Sequence, residues 1–349
     1  MTRPKKVTLR DVAKALGVSP STVSFALNNK GRLPDERRTE IRELAAKMGY
    51  TPNPMARALR GADTGCIGLV INYFNNPYYR SFLVGLESSA NDYGFSFAVT
   101  QHRDIFEWEQ KQVKLLAERG MDGLIVVPCS GETEHLTDII KTYGIPVVLT
   151  SHTLPGFAGV EADNARGARM MAEHILSLNR PNNILLAGRM RKSAINTREE
   201  VFRKIMSARD PNFDIEENVF YTKTLTADGG FRVMGAIAAK FRPPYSVFAV
   251  SDEIALGAMR FCRQNRLRIP KDVAIAGYSD IEILEDYGIP LTTIRIPARS
   301  IGANTVELLL EMKRSQKIFD CPPIITLPVS LITRSSTVGF SPDEPFEDG

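Results

Sequence analysis

From Cys66 onward the chain alternates short apolar runs with amphipathic stretches, and this alternation narrows the possible folds more than any other feature. "CIGLVI", "FSFAVT", "GLIVVP", "PVVLT", "NILLAG", "VFAVS" and "VAIAGY" are short, rich in β-formers and without a polar face, while patterns such as "YRSFLVGLESSANDYG" and "EQKQVKLLAERG" separate them. A strand apolar on both faces must be covered on both sides, and parallel neighbours need a crossover long enough to hold a helix. The pattern predicts parallel sheets flanked by helices. Two such units of roughly 120 residues each would open the carboxyl ends of their strands onto a common cleft.

At 349 residues the chain is too long for one compact domain. Its start reads differently from the rest. "TLRDVAKALG" predicts a short helix with Thr8 as N-cap, Asp11 in the first turn, Leu9, Val12, Ala13 and Leu16 as an apolar stripe, and Gly17 as the stop. In "GVSPSTVSFALNN", Ser19 is an N-cap and Pro20 suits the first helical position. Val23, Ala26 and Leu27 then face inward and leave Pro20, Ser21 and Phe25 outside. A third helix is expected from about Asp35 to Met48, with Ile41, Leu44, Ala45 and Met48 inward and Gly49 as its cap. Three short helices sharing one small core, the second with an exposed face, make a helix-turn-helix.

Charge indicates what that face meets. Residues 1–60 hold thirteen Lys/Arg and five Asp/Glu, about +8, whereas the whole chain is +4, so the remainder is about −4. Lys5, Lys6, Arg10, Lys30, Arg32 and Arg37 would collar the second helix with phosphate-attracting cations, and Ser19, Ser21, Thr22 and Ser24 supply hydroxyl donors. Basic patches alone are common in proteins that bind no DNA. Here the capped turn, the uncharged exposed face and the flanking cations occur together, which points to a DNA major groove.

Other classes lack their signatures. No apolar run is long enough to span a bilayer and "MTRPKKVTLRD" has no signal-peptide core, so a cytoplasmic location away from the membrane is expected. Cys66, Cys129, Cys262 and Cys321 are scattered without CxxC, which predicts reduced thiols. His102, His135, His152 and His174 show no ligand spacing. No phosphate-binding loop, GxGxxG fingerprint or GxSxG elbow is present. No metal, cofactor or catalysis is expected.

"VTLRDVAKALGVSPSTVSFALN", "MGYTPNPMARALR" and "IGLVI" resemble the start of the LacI/GalR family of bacterial transcription regulators, and the likeness runs to about residue 335. The resemblance implies a helix-turn-helix headpiece (1–52), a hinge helix and linker (53–64), and a two-lobed core similar to periplasmic sugar-binding proteins (65–335). Residues 336–349, acidic and Pro-rich, are expected to be a disordered tail. The crossovers between lobes are expected near Ala162, Pro290 and Pro322.

The family's function would then be a homodimeric repressor on a near-palindromic operator, modulated by a small effector. Its DNA-facing positions correspond to Thr8, Leu9, Ser19, Pro20, Ser21, Thr22, Ser24, Phe25, Asn28 and Arg37, with Met55, Ala56, Arg57 and Leu59 in the hinge. In "NPMARALR", Asn53 can cap and Pro54 can start a helix too short to hold alone, with Leu59 as a wedge for the minor groove. Phe25 stands where arginine is frequent, exchanging a guanine contact for a thymine-methyl one.

The effector is expected at strand ends. Tyr78 and Tyr79 in "NNPYYRSF" can cover a sugar or base ring, although such aromatics also close cores. Arg198 matches an arginine that holds polar ligand groups, and Asp163 and Asp252 match two acidic positions. Either aspartate can instead cap a helix; we favour the cap for Asp252 and the ligand for Asp163. Ser279, Val201 and Ile296 depart from the family's usual aspartate, glycine and glutamine, which makes the pocket less acidic. With Arg189, Arg191 and Lys192 nearby, a sugar phosphate or sugar acid joins plain sugars among the expected effectors, and a nucleobase is the alternative. A periplasmic binding protein would need an export signal and no basic headpiece. An enzyme would need a nucleophile and base, which the spacing does not show.

Overall fold

A computed structural model of the protein describes residues 7–27, 31–50, 64–188, 193–286, 288–315 and 322–338. The chain divides into two compact units between Thr64 and Gly65.

In the first unit, α1 spans Leu9–Leu16. Thr8 Oγ1 accepts from the Asp11 N–H at 3.3 Å while the Thr8 N–H donates to Asp11 Oδ2 at 2.8 Å, a closed capping box. Gly17, at φ +66°, ends the helix. In α2, Pro20–Leu27, the Thr22 N–H donates to Ser19 Oγ at 3.1 Å. α3 covers Asp35–Lys47 and stops one residue short of the expected Met48, because Gly49 at φ +70° already turns the chain. Val12, Ala13, Val23, Ala26, Ile41 and Ala45 form the buried cluster, roofed by Leu9, Leu16, Leu27 and Met48 and also by Val18, Leu33 and Tyr50. So small a core leaves the three helices mutually dependent.

The second unit has two lobes. β1 (Cys66–Ile71), α4 (Tyr78–Asp92), β2 (Ser96–Gln101), α5 (Phe106–Glu118), β3 (Leu124–Val126), α6 (Glu134–Tyr143), β4 (Val147–Thr150) and β5 (Ala158–Ala162) build the first lobe. The second continues with α7 (Asn164–Ser177), β6 (Asn183–Gly188), α8 (Ala194–Arg209), α9 (Ile215–Asn218), β7 (Val219–Thr222), α10 (Ala227–Lys240), β8 (Tyr245–Ala249), α11 (Asp252–Gln264), β9 (Val273–Ala276) and α12 (Ile283–Asp286). β10 (Thr293–Arg295), α13 (Ala298–Ser315), β11 (Ile324–Leu327), β12 (Ser330–Ile332) and α14 (Ser335–Val338) are shared between them. The sheets run β11-β5-β4-β3-β1-β2 and β7-β6-β8-β9, parallel throughout, and β10 pairs antiparallel with β12. The parallel α/β architecture read from the alternation is therefore present.

The chain crosses between lobes three times, and two crossings differ from expectation. The first comes after Ala162 as expected. The second is not at Pro290: bridges Ala276↔Thr292 and Ser279↔Arg295 and the β10–β12 pairing hold residues 292–295 to the second lobe, so the crossing is at Ile296–Pro297. α13 then packs on α4, where the helices approach so closely that a Cβ at Gly85 would lie 1.9 Å from the Arg299 carbonyl oxygen. The third is not at Pro322. Pro322 and Pro323 lead into edge strand β11, where a missing N–H is tolerated, and the Pro323 carbonyl accepts from the Gly159 N–H at 3.0 Å. The chain leaves that lobe at Pro328–Val329.

The expected tail also starts too early. Ser336 and Thr337 are buried in α14: Ser336 Oγ donates to the Ile275 carbonyl at 2.6 Å and accepts from the Thr292 N–H at 2.8 Å. Residues 339–349 lie outside the described residues. At the other end of this unit, Asp122 accepts the Gly65 and Cys66 N–H groups at 2.6 and 3.1 Å and pairs with Lys313 at 3.3 Å. No helix among the described residues is long and apolar enough to cross a membrane.

Candidate functional site

The headpiece presents one uncharged face. Ser19, Pro20, Ser21 and Phe25 are exposed, Phe25 by 47%, and its ring lies against Gly31. Local bonds engage several neighbouring groups. Thr8 Oγ1 donates to Asp11 Oδ2 at 2.7 Å, the Ser19 and Thr22 hydroxyls bond each other at 2.8 Å, and Arg37 pairs with Glu40 at 2.5 Å. Leu9 packs on the headpiece core, and Ser24 is half-buried. Pro20, Ser21 and Phe25 are therefore the side chains this face offers outward, the last two one turn apart. Asn28, Met55, Ala56, Arg57 and Leu59 lie outside the described residues.

Between the two lobes is a cavity of about 220 Å³ at the carboxyl ends of the strands. Tyr78 and Tyr79 line it from the first turn of α4. Tyr79 is 3% exposed and donates its hydroxyl to Asn72 Oδ1 at 2.7 Å; Tyr78 meets it edge-on at 5.4 Å and stacks on Phe82. Each ring packs on the core and also walls the cavity. Burial pushes the Tyr78 hydroxyl well above its ordinary pKa, opposed by the Arg198 charge.

Arg198 enters from α8 on the opposite lobe. Its Nε donates to Asn164 Oδ1 at 2.9 Å and its Nη1 to the Val250 carbonyl at 2.8 Å, and the guanidinium lies 3.9 Å from the Tyr278 ring centre. Burial lowers its pKa, countered by Tyr278, Tyr78 and Asp252, and an arginine so placed stays charged. The result is a donor fork locked in place before any ligand arrives.

The two aspartates are placed differently from expectation: Asp163 is the helix cap, and Asp252 is the one at the cavity wall. Asp163 does not line the cavity: it caps α7, accepting the Arg166 N–H at 2.9 Å. Asp252 is not a cap, because Ser251 takes that position by accepting from the Ile254 N–H. Pushed one residue into the helix, Asp252 is fully buried at the cavity wall, where it accepts from the Ile281 N–H at 3.0 Å and from Thr293 Oγ1 at 2.6 Å. Burial outweighs these bonds and raises its pKa to about 6. Ser279 lines the cavity as expected, at φ +129°, and so does Ile296.

Several lining residues were not anticipated: Asn72, Asp104, His152, Ser193 and Glu253. Each sits a few residues beyond the carboxyl end of a strand, and that position is the signal by which they could have been found. Arg189, Arg191 and Lys192 lie outside the described residues. Among the described lining residues Arg198 is the one Lys or Arg, and Asp104, Asp252 and Glu253 are the acids. Behind it, His102, Glu109 and Cys129 come within 4.8 Å of one another. Their atoms serve hydrogen bonds: Glu109 accepts from the Cys129 N–H at 2.6 Å and meets His135 Nε2 at 2.9 Å, and His102 Nε2 meets the Val127 carbonyl at 3.0 Å. Burial raises the Cys129 thiol above its ordinary pKa, which disfavours the thiolate a metal would need.

Charged groups bridge the lobes beside the cavity. Arg80 on α4 pairs with Glu282 at 2.8 Å and Asp286 at 3.3 Å, and Ser81 also bonds Glu282. The segments that carry Tyr78 and Ser279 are thereby tied together.

Residues 8–53 match "Bacterial regulatory proteins, lacI family" and residues 172–337 match "Periplasmic binding protein-like domain". The HTH-type transcriptional repressor PurR of Vibrio parahaemolyticus is 28% identical over 327 residues, 92% of this chain and 97% of that protein. The lac repressor dimer bound to operator and the anti-inducer ONPF is 26% identical, with a TM-score of 0.82 over 95% of this chain and 99% of that one. A complex of the transcriptional regulator CelR with cellobiose is 25% identical, with a TM-score of 0.69 over 96% of this chain and 100% of that one.

Proposed function

We propose that this chain, which belongs to the lacI family of bacterial regulatory proteins, is a repressor whose operator affinity is set by a sugar or sugar derivative held between the core lobes. The observation that carries the reading is the cavity itself: an aromatic wall from one lobe faces a preset arginine fork from the other. A sugar suits it because a pyranose or furanose presents an apolar face to Tyr78 and a rim of hydroxyls to Arg198. The similar CelR–cellobiose complex and the operator-bound lac repressor dimer support the two halves of the proposal.

A ligand that touches both lobes has different affinities for different lobe separations, so it shifts their equilibrium. Closure changes the Arg80–Glu282 bridge that ties the lobes together. In a homodimer on a near-palindromic operator, that movement alters how two headpieces and their hinge segments meet DNA, and linkage makes effector and operator change each other's affinity by the same factor. Ser21 and Phe25 read bases, the basic residues of 1–60 hold phosphates, and Leu59 is the proposed minor-groove wedge.

A thermal-shift screen of sugars followed by operator titration tests this. Arg198→Ala should abolish the ligand-induced shift and the effector response while leaving operator binding in place. Normal ligand binding by Arg198→Ala would remove the cleft from the proposal.

A further inference from the structure

Asp104 is held in an unusual way for a loop residue. It comes after β2 and lines the cavity from the first lobe, with Arg103 at φ +54° and Asp104 at φ +57°, two successive residues in the left-handed region that side chains avoid. Such a conformation persists only where the surroundings over-determine it. Here His102, fully buried, accepts the Asp104 N–H on Nδ1 at 3.0 Å, so Nε2 carries the proton and donates to the Val127 carbonyl at 3.0 Å. The Arg103 N–H donates to the Asn72 carbonyl at 2.9 Å, and Tyr73 donates its hydroxyl to the Arg103 carbonyl at 3.2 Å. His102 and Tyr73 thus hold the Arg103–Asp104 peptide from its two sides, Asn72 holds the N–H before it, and Val127 holds His102, so the acid is fixed at the cavity wall.

We propose that Asp104 sets the charge of the effector: the cleft accepts neutral monosaccharides, whose hydroxyls donate to this carboxylate, and rejects sugar phosphates and sugar acids. The inference rests on the proposed sugar effector and reverses the expectation of an anionic ligand. No Lys or Arg lies among the described first-lobe lining residues, and Arg198 across the cleft already uses Nε and Nη1 on Asn164 and Val250. Among the described lining residues an anion would therefore meet three carboxyls, Asp104, Asp252 and Glu253, against the single cation Arg198, in a partly buried site where like charges repel strongly. Burial raises the Asp104 pKa, outweighing His102 and the Tyr73 and Asn72 side-chain hydrogen bonds that favour the carboxylate, and a further negative charge would push it in the same direction as burial.

Calorimetric titration of the full-length protein with matched pairs tests this: D-ribose with D-ribose 5-phosphate, D-glucose with D-glucose 6-phosphate, and D-glucose with D-glucuronate. The neutral member should bind at least tenfold more tightly, and Asp104→Asn should shrink that ratio at least tenfold. Asp104→Ser, which removes the charge with less bulk, should shrink it likewise if the asparagine variant misfolds. A charged member that binds as tightly as its partner, or a ratio indifferent to both substitutions, overturns the inference and leaves the sugar reading standing. Failure of every pair to bind overturns both.

Discussion

Asp252 lets a stability effect be worked out from a single carboxyl. It is fully buried, and its two oxygens accept from the Ile281 N–H and the Thr293 hydroxyl. Its pKa of about 6 lies above the ordinary 3.8, so the folded chain binds this proton more tightly than the unfolded one. The stability it lends is fully present below about pH 3.8 and is lost as pH rises through about 6. At 1.36 kcal/mol per pKa unit the loss is about 3 kcal/mol in all, of which about 2 kcal/mol falls between pH 4.5 and 7.5. Asp252→Asn removes the titration but turns an amide N–H₂ toward one of the two donors, at a cost of about 1–3 kcal/mol that does not vary with pH. The parent has lost about 1 kcal/mol by pH 4.5 and about 3 kcal/mol by pH 7.5, so the variant should be about 0–2 kcal/mol less stable than the parent at pH 4.5 and about 0–2 kcal/mol more stable at pH 7.5, a swing of about 2 kcal/mol. Urea unfolding of both proteins across this range, read as the difference between them, cancels every other group that titrates alike. A difference that stays constant with pH would show that burial does not perturb Asp252 as argued.

Gly85→Ala should destabilise the core by about 1–3 kcal/mol or more, measured by urea unfolding, because the new Cβ meets the Arg299 backbone rather than a movable side chain. Phe25→Ala should change the melting temperature little, since the ring is 47% exposed, yet alter base preference in a selection from randomised half-sites. Arg80→Met should change effector affinity less than tenfold and weaken its salt dependence, because exposed ion pairs contribute about 0–1 kcal/mol; calorimetry at low and high salt reads this. Operator binding by the dimer should weaken steeply with salt, and affinity indifferent to salt in a filter-binding titration would contradict the proposed phosphate contacts.

What the sequence disclosed depended on how far apart the interacting residues lie. Thr8 and Asp11, or Ser19 and Thr22, are three residues apart, and their caps could be read directly. The parallel sheets were legible because an apolar run shows its burial without naming its neighbour. The helix cap was expected at Asp252 and is found at Asp163 because capping depends on a one-residue register. In "VSDEIAL" a serine precedes the aspartate and takes the cap, whereas in "EADNARG" no such residue competes. The acid wall of the cavity was missed for a different reason: Asp104 gains its meaning from His102, Asn72 and Val127, which only the sheet brings together.

The exchange of segments between the lobes has a consequence for biosynthesis. Residues 7–50 fold around contacts within one short stretch, so the headpiece can form as soon as it is made. Neither lobe has that freedom, since α13 and β11 of the first come from beyond residue 297 and β12 and α14 of the second from beyond residue 329. At roughly 5–20 residues per second, translation from the end of the headpiece to α14 takes roughly 15–60 s. For that interval a nascent chain carries a folded DNA reader attached to an unfinished sensor, and a ribosome that stalls between codons 298 and 338 leaves a headpiece no effector can govern.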